Sequence, residues 1–285
     1  MARGDESEKR RQHREPPNIM TTHQSHIEAK ELFDQTVDSY QAAAEGQVHD
    51  FRSLLFQRRI RIVEDFIDSL PPGGDVLDFG MGPAVFAQTC LDWDWSYLGI
   101  DIAPKMVEQA QALGFEGARF EVGDLESLAK YKESMDLTLA IGLIDYLEET
   151  ADGLRALSET VRPGGHLLVS FRNRNSVPRV LRDSAKVVLR PLASAAEAQS
   201  TGRPRAFFSQ AHEKAFDFQS DLKPLLKQNG FSKFQVRYFN CSPLFFSFPM
   251  PESLWRLWFE VDSVLASPLT SWTCSGGVFL AQRRA

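Results

Sequence analysis

The sequence predicts an α/β fold organised around a nucleotide-binding unit, and three observations between Asp75 and Asp101 carry that prediction. Apolar Val76 and Leu77 end on Asp78; a Gly80-Met81-Gly82 turn runs into a helical pattern from Pro83; and a second apolar run, Tyr97 to Ile100, ends on Asp101. The order is strand, glycine turn, helix, strand, acid, which is the first half of a nucleotide-binding α/β unit. Glycines let the backbone turn sharply and approach a ligand with no Cβ in the way. Pro83 suits a first helical turn, where its missing N–H is no loss. An acid closing the second strand lies beside the first strand, where it can accept both hydroxyls of a ribose.

Two cofactor classes use this layout. The dinucleotide fingerprint asks for Gly or Ala where this chain has Val85, and it does not call for a carboxylate such as Asp78 before the glycines. S-adenosylmethionine has no pyrophosphate to cradle and carries an amino-acid tail and a sulfonium cation, which a carboxylate and an open turn suit better. On Asp78, Gly80 and Gly82, an acid-x-Gly-x-Gly motif, the chain resembles the class I S-adenosylmethionine-dependent methyltransferases of small molecules. Ala84 stands where a third glycine is common in that family. The resemblance implies a Rossmann-like, seven-stranded, mostly parallel sheet with helices on both faces. It also implies a donor site at Asp78, Gly80, Met81, Gly82, Asp101, Ile102, Asp124, Leu125 and Ile141, with Asp124 on the adenine amino group.

The elements follow in order. Residues 1–28 mix charge with Gln, His, Ser and Pro without periodicity and are expected to be a disordered tail. Residues 29–70 supply N-terminal helices, the second from about Gln47 to Leu70 with Phe51, Leu55, Ile62, Phe66 and Leu70 near one face. Pro71-Pro72-Gly73-Gly74 stops it before the first strand. The segment around Phe33 and Tyr40 resembles the family's pre-domain helix, which closes over the donor; packing alone is the other reading.

The core, residues 71–171, continues with a helix over 103–113, a strand over Ala118–Val122 and a strand over Met135–Ile141. A helix over Glu149–Val161 follows, then Arg162-Pro163-Gly164-Gly165 turning into a strand over His166–Phe171. That last turn-and-strand signal is a further point of resemblance. Phe218–Gln228 reads as a helix, and Phe234–Phe239 with Val278–Ala281 as the antiparallel pair that the resemblance implies. The single methyltransferase domain, 29–285, leaves two segments over, 172–217 and 241–272, as a substrate cap at the carboxyl edge of the sheet. One carries a basic amphipathic stretch over 179–190. The other carries Phe245, Phe246, Trp255, Trp258 and Phe259, suited to an apolar acceptor. Core closure or a dimer contact is the alternative for those rings.

Bulk properties bound the function. Net charge of −6 and a pI of about 5.6 argue against a general nucleic-acid binder. Cys90, Cys241 and Cys274 have no paired spacing, so neither a disulfide framework nor a metal site is expected, and a reducing cytoplasm fits. No signal peptide or membrane-spanning run is apparent, and a peripheral membrane contact through the basic, Trp-bearing cap segments is the most that is expected.

Methyl transfer from a sulfonium needs alignment, and a neutral oxygen acceptor also needs a base. Asp145 and Tyr146 follow the fourth strand near the reacting centre, and His212 lies in the first cap segment with a suitable ordinary pKa. Asp145 could equally cap the next turn or contact the donor, and His212 could be solvated or cap a helix. Arg172 and Asn173, after the fifth strand, could hold an acceptor carboxylate or phosphate, and Tyr40, Trp255 and Trp258 complete the expected acceptor side. The expected activity is methylation of a small, hydrophobic molecule, at oxygen ahead of nitrogen or carbon. A donor-binding scaffold without turnover is the reading from another class.

Overall fold

Helix α1, Phe51–Asp68, turns Ile60, Val63, Phe66 and Ile67 inward at helical spacing, and the Ser69 hydroxyl donates to the Phe66 carbonyl at its end. The protein is seen here as a computed structural model that describes residues 51–177, 179–180, 214–241, 257, 260–261 and 265–285. The expected tail, Tyr40, His212, Trp255, Trp258 and most of both cap segments lie outside the described residues.

After α1 come β1 (Gly74–Phe79), α2 (Ala87–Asp92), β2 (Trp95–Asp101), α3 (Pro104–Ala112), β3 (Ala118–Val122) and β4 (Met135–Ala140). Then follow α4 (Thr150–Thr160), β5 (Val161–Arg172), α5 (Lys223–Gln228), β6 (Phe231–Phe239) and β7 (Gly276–Arg283). The seven strands form one sheet in the order β3-β2-β1-β4-β5-β7-β6. The pairs from β3 to β5 are parallel, whereas β7 runs antiparallel to both of its neighbours. The expected mostly parallel α/β sheet is present.

Alternation along each strand divides the core into two layers. Val76, Tyr97, Leu137 and Leu139 face α1, α2 and α3, while Leu77, Leu98, Leu167 and Phe279 face α4 and α5. Each such fully buried side chain contributes about 1.5–3 kcal/mol of transfer free energy. The chain leaves β1 for β2 and β3, then crosses to β4 on the other side of β1. The crevice at the carboxyl ends of β1 and β4 is therefore the switch point, where open α/β sheets bind ligands.

Several boundaries differ from expectation. β5 begins at Val161, because Val161 pairs with Met135 before the register shifts at a bulge; the Pro-Gly-Gly run lies inside the strand rather than ahead of it. The helical run from Pro83 is a series of turns, with Ala84 at φ +54, until α2 begins at Ala87. The late helix opens with a wide π-type turn over Phe218–Leu222, capped where Asp217 accepts from the Ser220 N–H at 2.7 Å.

The cysteines correct the sequence reading outright. Cys241 and Cys274 are disulfide-bonded, and Cys90 is the buried free thiol. The cause is topological: β6 and β7 are antiparallel with Phe239 opposite Gly276, so the residues just beyond each strand end meet although they are 33 apart in sequence. With Cys241 and Cys274 paired, the cysteines no longer point to a reducing compartment. Among the described residues no helix is long and apolar enough to cross a membrane.

Candidate functional site

The glycine turn is folded back over the end of β2. The Gly80 and Met81 N–H groups both donate to the Ile100 carbonyl, at 2.8 and 3.2 Å. Asp101, buried at the end of β2, grips the turn from the other side: Oδ2 accepts from the Gly82 N–H at 2.9 Å and Oδ1 from the Ala103 N–H at 2.9 Å. One carboxylate thus couples the turn after β1 to the turn after β2. In front of Gly82 a Cβ would meet nothing within 4 Å, so the backbone there borders open space.

Asp78 lies beneath this turn, fully buried, and accepts a 2.7 Å hydrogen bond from the Tyr97 hydroxyl, also fully buried. Burial pushes the Asp78 carboxyl up to about 7; the Tyr97 hydrogen bond pulls it back, and the Asp101 charge adds to the rise. The Tyr97 phenol is held well above its usual range by burial and by Asp78.

On the β4 side, Gly142 donates to the Ser170 hydroxyl at 2.7 Å, and the Arg59 guanidinium of α1 packs so close that a Cβ at Gly142 would lie 2.9 Å from it. Residues 76–165 match the family described as the methyltransferase domain. Together with the acid-gripped glycine turn at the switch point, this decides the assignment. The chain carries a class I S-adenosylmethionine-dependent methyltransferase domain.

Curated methyltransferases match part of the chain. The chain is 31% identical over 130 residues to 2-methyl-6-phytyl-1,4-hydroquinone methyltransferase of Synechocystis, covering 44% of this chain and 41% of that protein. It is 29% identical over 118 residues to the ubiquinone biosynthesis O-methyltransferase of Paracidovorax citrulli, covering 39% and 50%. The chain spans about half or less of the length of these curated relatives. In fold it is similar to a possible histamine N-methyltransferase from Thermotoga maritima, with a TM-score of 0.57, 18% identity and coverage of 89% and 99%. The Synechocystis magnesium protoporphyrin IX methyltransferase with bound S-adenosylhomocysteine gives a TM-score of 0.57 at 16% identity, covering 90% and 99%.

For the methyltransferase domain, the remaining sequence candidates fall into two groups. Ile102, Leu125 and Ile141 are half-buried beside the strand ends. Asp124 caps the 3-10 turn over Leu125–Tyr131, its carboxylate accepting from the Ser127 N–H at 3.1 Å. Met81 contributes its backbone to the turn, while its side chain is buried against Gly99.

On the acceptor side, Asp145 is buried and committed to the end of β5. Its Oδ1 accepts from the Arg172 N–H at 3.0 Å, and its other oxygen faces the Arg172 guanidinium at 3.9 Å. Tyr146 is half-buried next to it. The buried Asn173 amide donates to the Ser271 and Cys274 carbonyls at 2.6 and 2.9 Å, so both its hydrogens hold the neck of the second cap segment.

Sequence reasoning missed two residues, Arg59 and Tyr97. Arg59 sits in an Arg58-Arg59-Ile60-Arg61 run that reads as a solvated face. Tyr97 reads as one apolar residue of a strand. Its signal was its place on the paired strand on the same face as Asp78, two positions out of register in the parallel ladder, where Val76 pairs with Tyr97 and Asp78 with Gly99.

Replacing Asp145 by Ala is expected to leave the buried end of β5 with an unsatisfied Arg172 N–H, at a cost of about 1–3 kcal/mol. Thermal unfolding measures this, and an unchanged unfolding temperature would show that the tie carries no stability.

Proposed function

We propose that the protein transfers the methyl group of S-adenosylmethionine to the hydroxyl oxygen of a small, largely hydrophobic acceptor of phenol or hydroquinone type. The observation that carries the reading is the glycine turn held by Asp101 over Asp78 at the β1–β4 switch point. In this reading Asp101 receives the ribose hydroxyls and Gly80 and Gly82 border the donor's tail. Asp78 supplies negative charge beneath its cationic end, Arg59 faces its carboxylate, and Asp124 lies toward the adenine. When bound, the donor supplies a methyl group already activated by the sulfonium charge, so the chain's own residues have mainly to align the two partners and exclude water.

Oxygen and the phenolic class are favoured by two considerations. The first is that one relative is an O-methyltransferase of ubiquinone biosynthesis and another a hydroquinone methyltransferase. The second is chemical: Asp145, one of the expected bases, accepts from the Arg172 N–H and faces its guanidinium, which makes it a weaker proton acceptor. A phenol with a tyrosine-like pKa of about 10 sheds its proton far more readily than an alkyl alcohol and asks less of a base.

The test is turnover. The protein is incubated with S-adenosylmethionine and a panel of catechols and hydroquinones, with and without an apolar tail, and S-adenosylhomocysteine is quantified by mass spectrometry. Acceptor-dependent product, greater with the tail, is the expected result. Donor binding without product across phenols, amines and activated carbon acids would instead favour a donor-binding scaffold.

A further inference from the structure

We propose that Tyr97 is a positioning residue for the donor site: its hydroxyl fixes the Asp78 carboxylate, in ionised form, beneath the glycine turn and so sets the lower pH limit of donor binding. The inference rests on the reading that Asp78 faces the cationic end of S-adenosylmethionine.

The geometry makes this more than a core hydrogen bond. Two fully buried polar side chains on adjacent strands meet at 2.7 Å, one directly before the turn that borders the open space. A buried carboxylate without a donor hydrogen bond would discard its charge. The groups around Asp78 offer little else. β2 brings Tyr97 and the like-charged Asp101; α2 brings the buried Cys90 thiol, itself pushed up by burial and by Asp78. β4 places apolar Leu139 at the paired position, and from α1 the Arg59 guanidinium lies against Gly142. The phenol is therefore the group on this list that favours the charged form by direct contact.

The sign follows from the position of the equilibrium. The Asp78 carboxyl, at about 7 in the folded chain, keeps its proton to higher pH than an ordinary aspartate, so folding without donor loses stability as pH rises from about 4 toward 7. A cationic ligand selects the ionised form, and the proton leaves to the buffer. Donor affinity should then rise with pH, by about tenfold between pH 6 and pH 8.

The experiment is calorimetric titration of S-adenosylmethionine across pH 6–9 into the wild type, Tyr97→Phe and Asp78→Asn, with folding checked by thermal unfolding. The donor's own titration is common to all three, so differences between profiles report the protein. Tyr97→Phe is expected to move the midpoint upward by about one pH unit, with affinity reduced at pH 7 and regained near pH 9. A Tyr97→Phe profile that overlays the wild type, or is lowered equally at every pH, would overturn the proposal.

Uniform replacement of tyrosine by 3-fluorotyrosine guards against a variant that does not fold. Its ring is nearly isosteric and its hydroxyl a stronger donor, so the midpoint should move downward; an unmoved midpoint overturns the proposal. Asp78→Asn separates the two readings. If it keeps wild-type affinity and profile, the placement of Asp78 at the donor fails. If it flattens the profile while Tyr97→Phe leaves the midpoint in place, only the role of Tyr97 fails.

Discussion

Replacing Asp101 by Ala is expected to weaken S-adenosylmethionine binding by about 1.5–3 kcal/mol, the range for hydrogen bonds to a charged group, and to destabilise the donor-free protein as well. The second effect comes from the bonds already present. Each carboxylate oxygen accepts one backbone N–H at 2.9 Å, from Gly82 and from Ala103. The Ala variant leaves both donors without their acceptor, and a buried unsatisfied N–H costs about 1–3 kcal/mol. Asp101→Asn retains one acceptor oxygen, so it should recover part of the lost stability while still binding donor poorly. Calorimetry and thermal unfolding on the two variants separate these contributions. Wild-type donor affinity in Asp101→Ala would remove Asp101 from the site.

Gly80→Val is expected to be comparably damaging, for a reason located in the backbone. Gly80 has φ +74, and an added Cβ would stand 3.0 Å from Leu143 Cδ1. A β-branched residue in that left-handed conformation costs about 1–3 kcal/mol before any contact with ligand. The turn would relax by releasing the two N–H groups held by the Ile100 carbonyl, which opens the lip of the site. Gly82→Ala is the informative contrast, because a Cβ there meets nothing within 4 Å. Its strain should be smaller, and a marked loss of donor affinity at little further cost in unfolding temperature would place the ligand against Gly82. Equal losses in both properties for both variants would mean that the turn matters only for folding.

The first four strands were legible because each closes on an acid or a glycine, at Asp78, Asp101, Gly123 and Gly142, a pattern that survives without tertiary information. Asp78, the glycine turn and Asp101 were legible for the same reason. What escaped depends on register. That Tyr97 reaches Asp78 follows from how β1 lies against β2, and that Asp145 is spent on Arg172 follows from how β4 lies against β5. The start of β5 was hidden because Pro163-Gly164-Gly165 carries every local mark of a turn, while the pairing of Val161 with Met135 is a long-range fact. The Cys241–Cys274 bond was missed on spacing alone, since only an antiparallel β6–β7 pair brings those positions opposite each other.

That bond turns the segment between Cys241 and Cys274 into a covalent ring hung from the edge of the sheet. A single peptide-bond cut anywhere between the two cysteines therefore cannot release a fragment. On a denaturing gel the nicked chain should migrate near full size until a thiol reductant is added, then separate into two bands. The cut is best directed by an inserted protease sequence between residues 242 and 264. Two bands without reductant would show the ring to be open in solution. A closed ring also lets the acceptor side be rebuilt by exchanging the segment between Cys241 and Ser271, because its two ends are fixed to each other by the disulfide and its C-terminal end is held by Asn173.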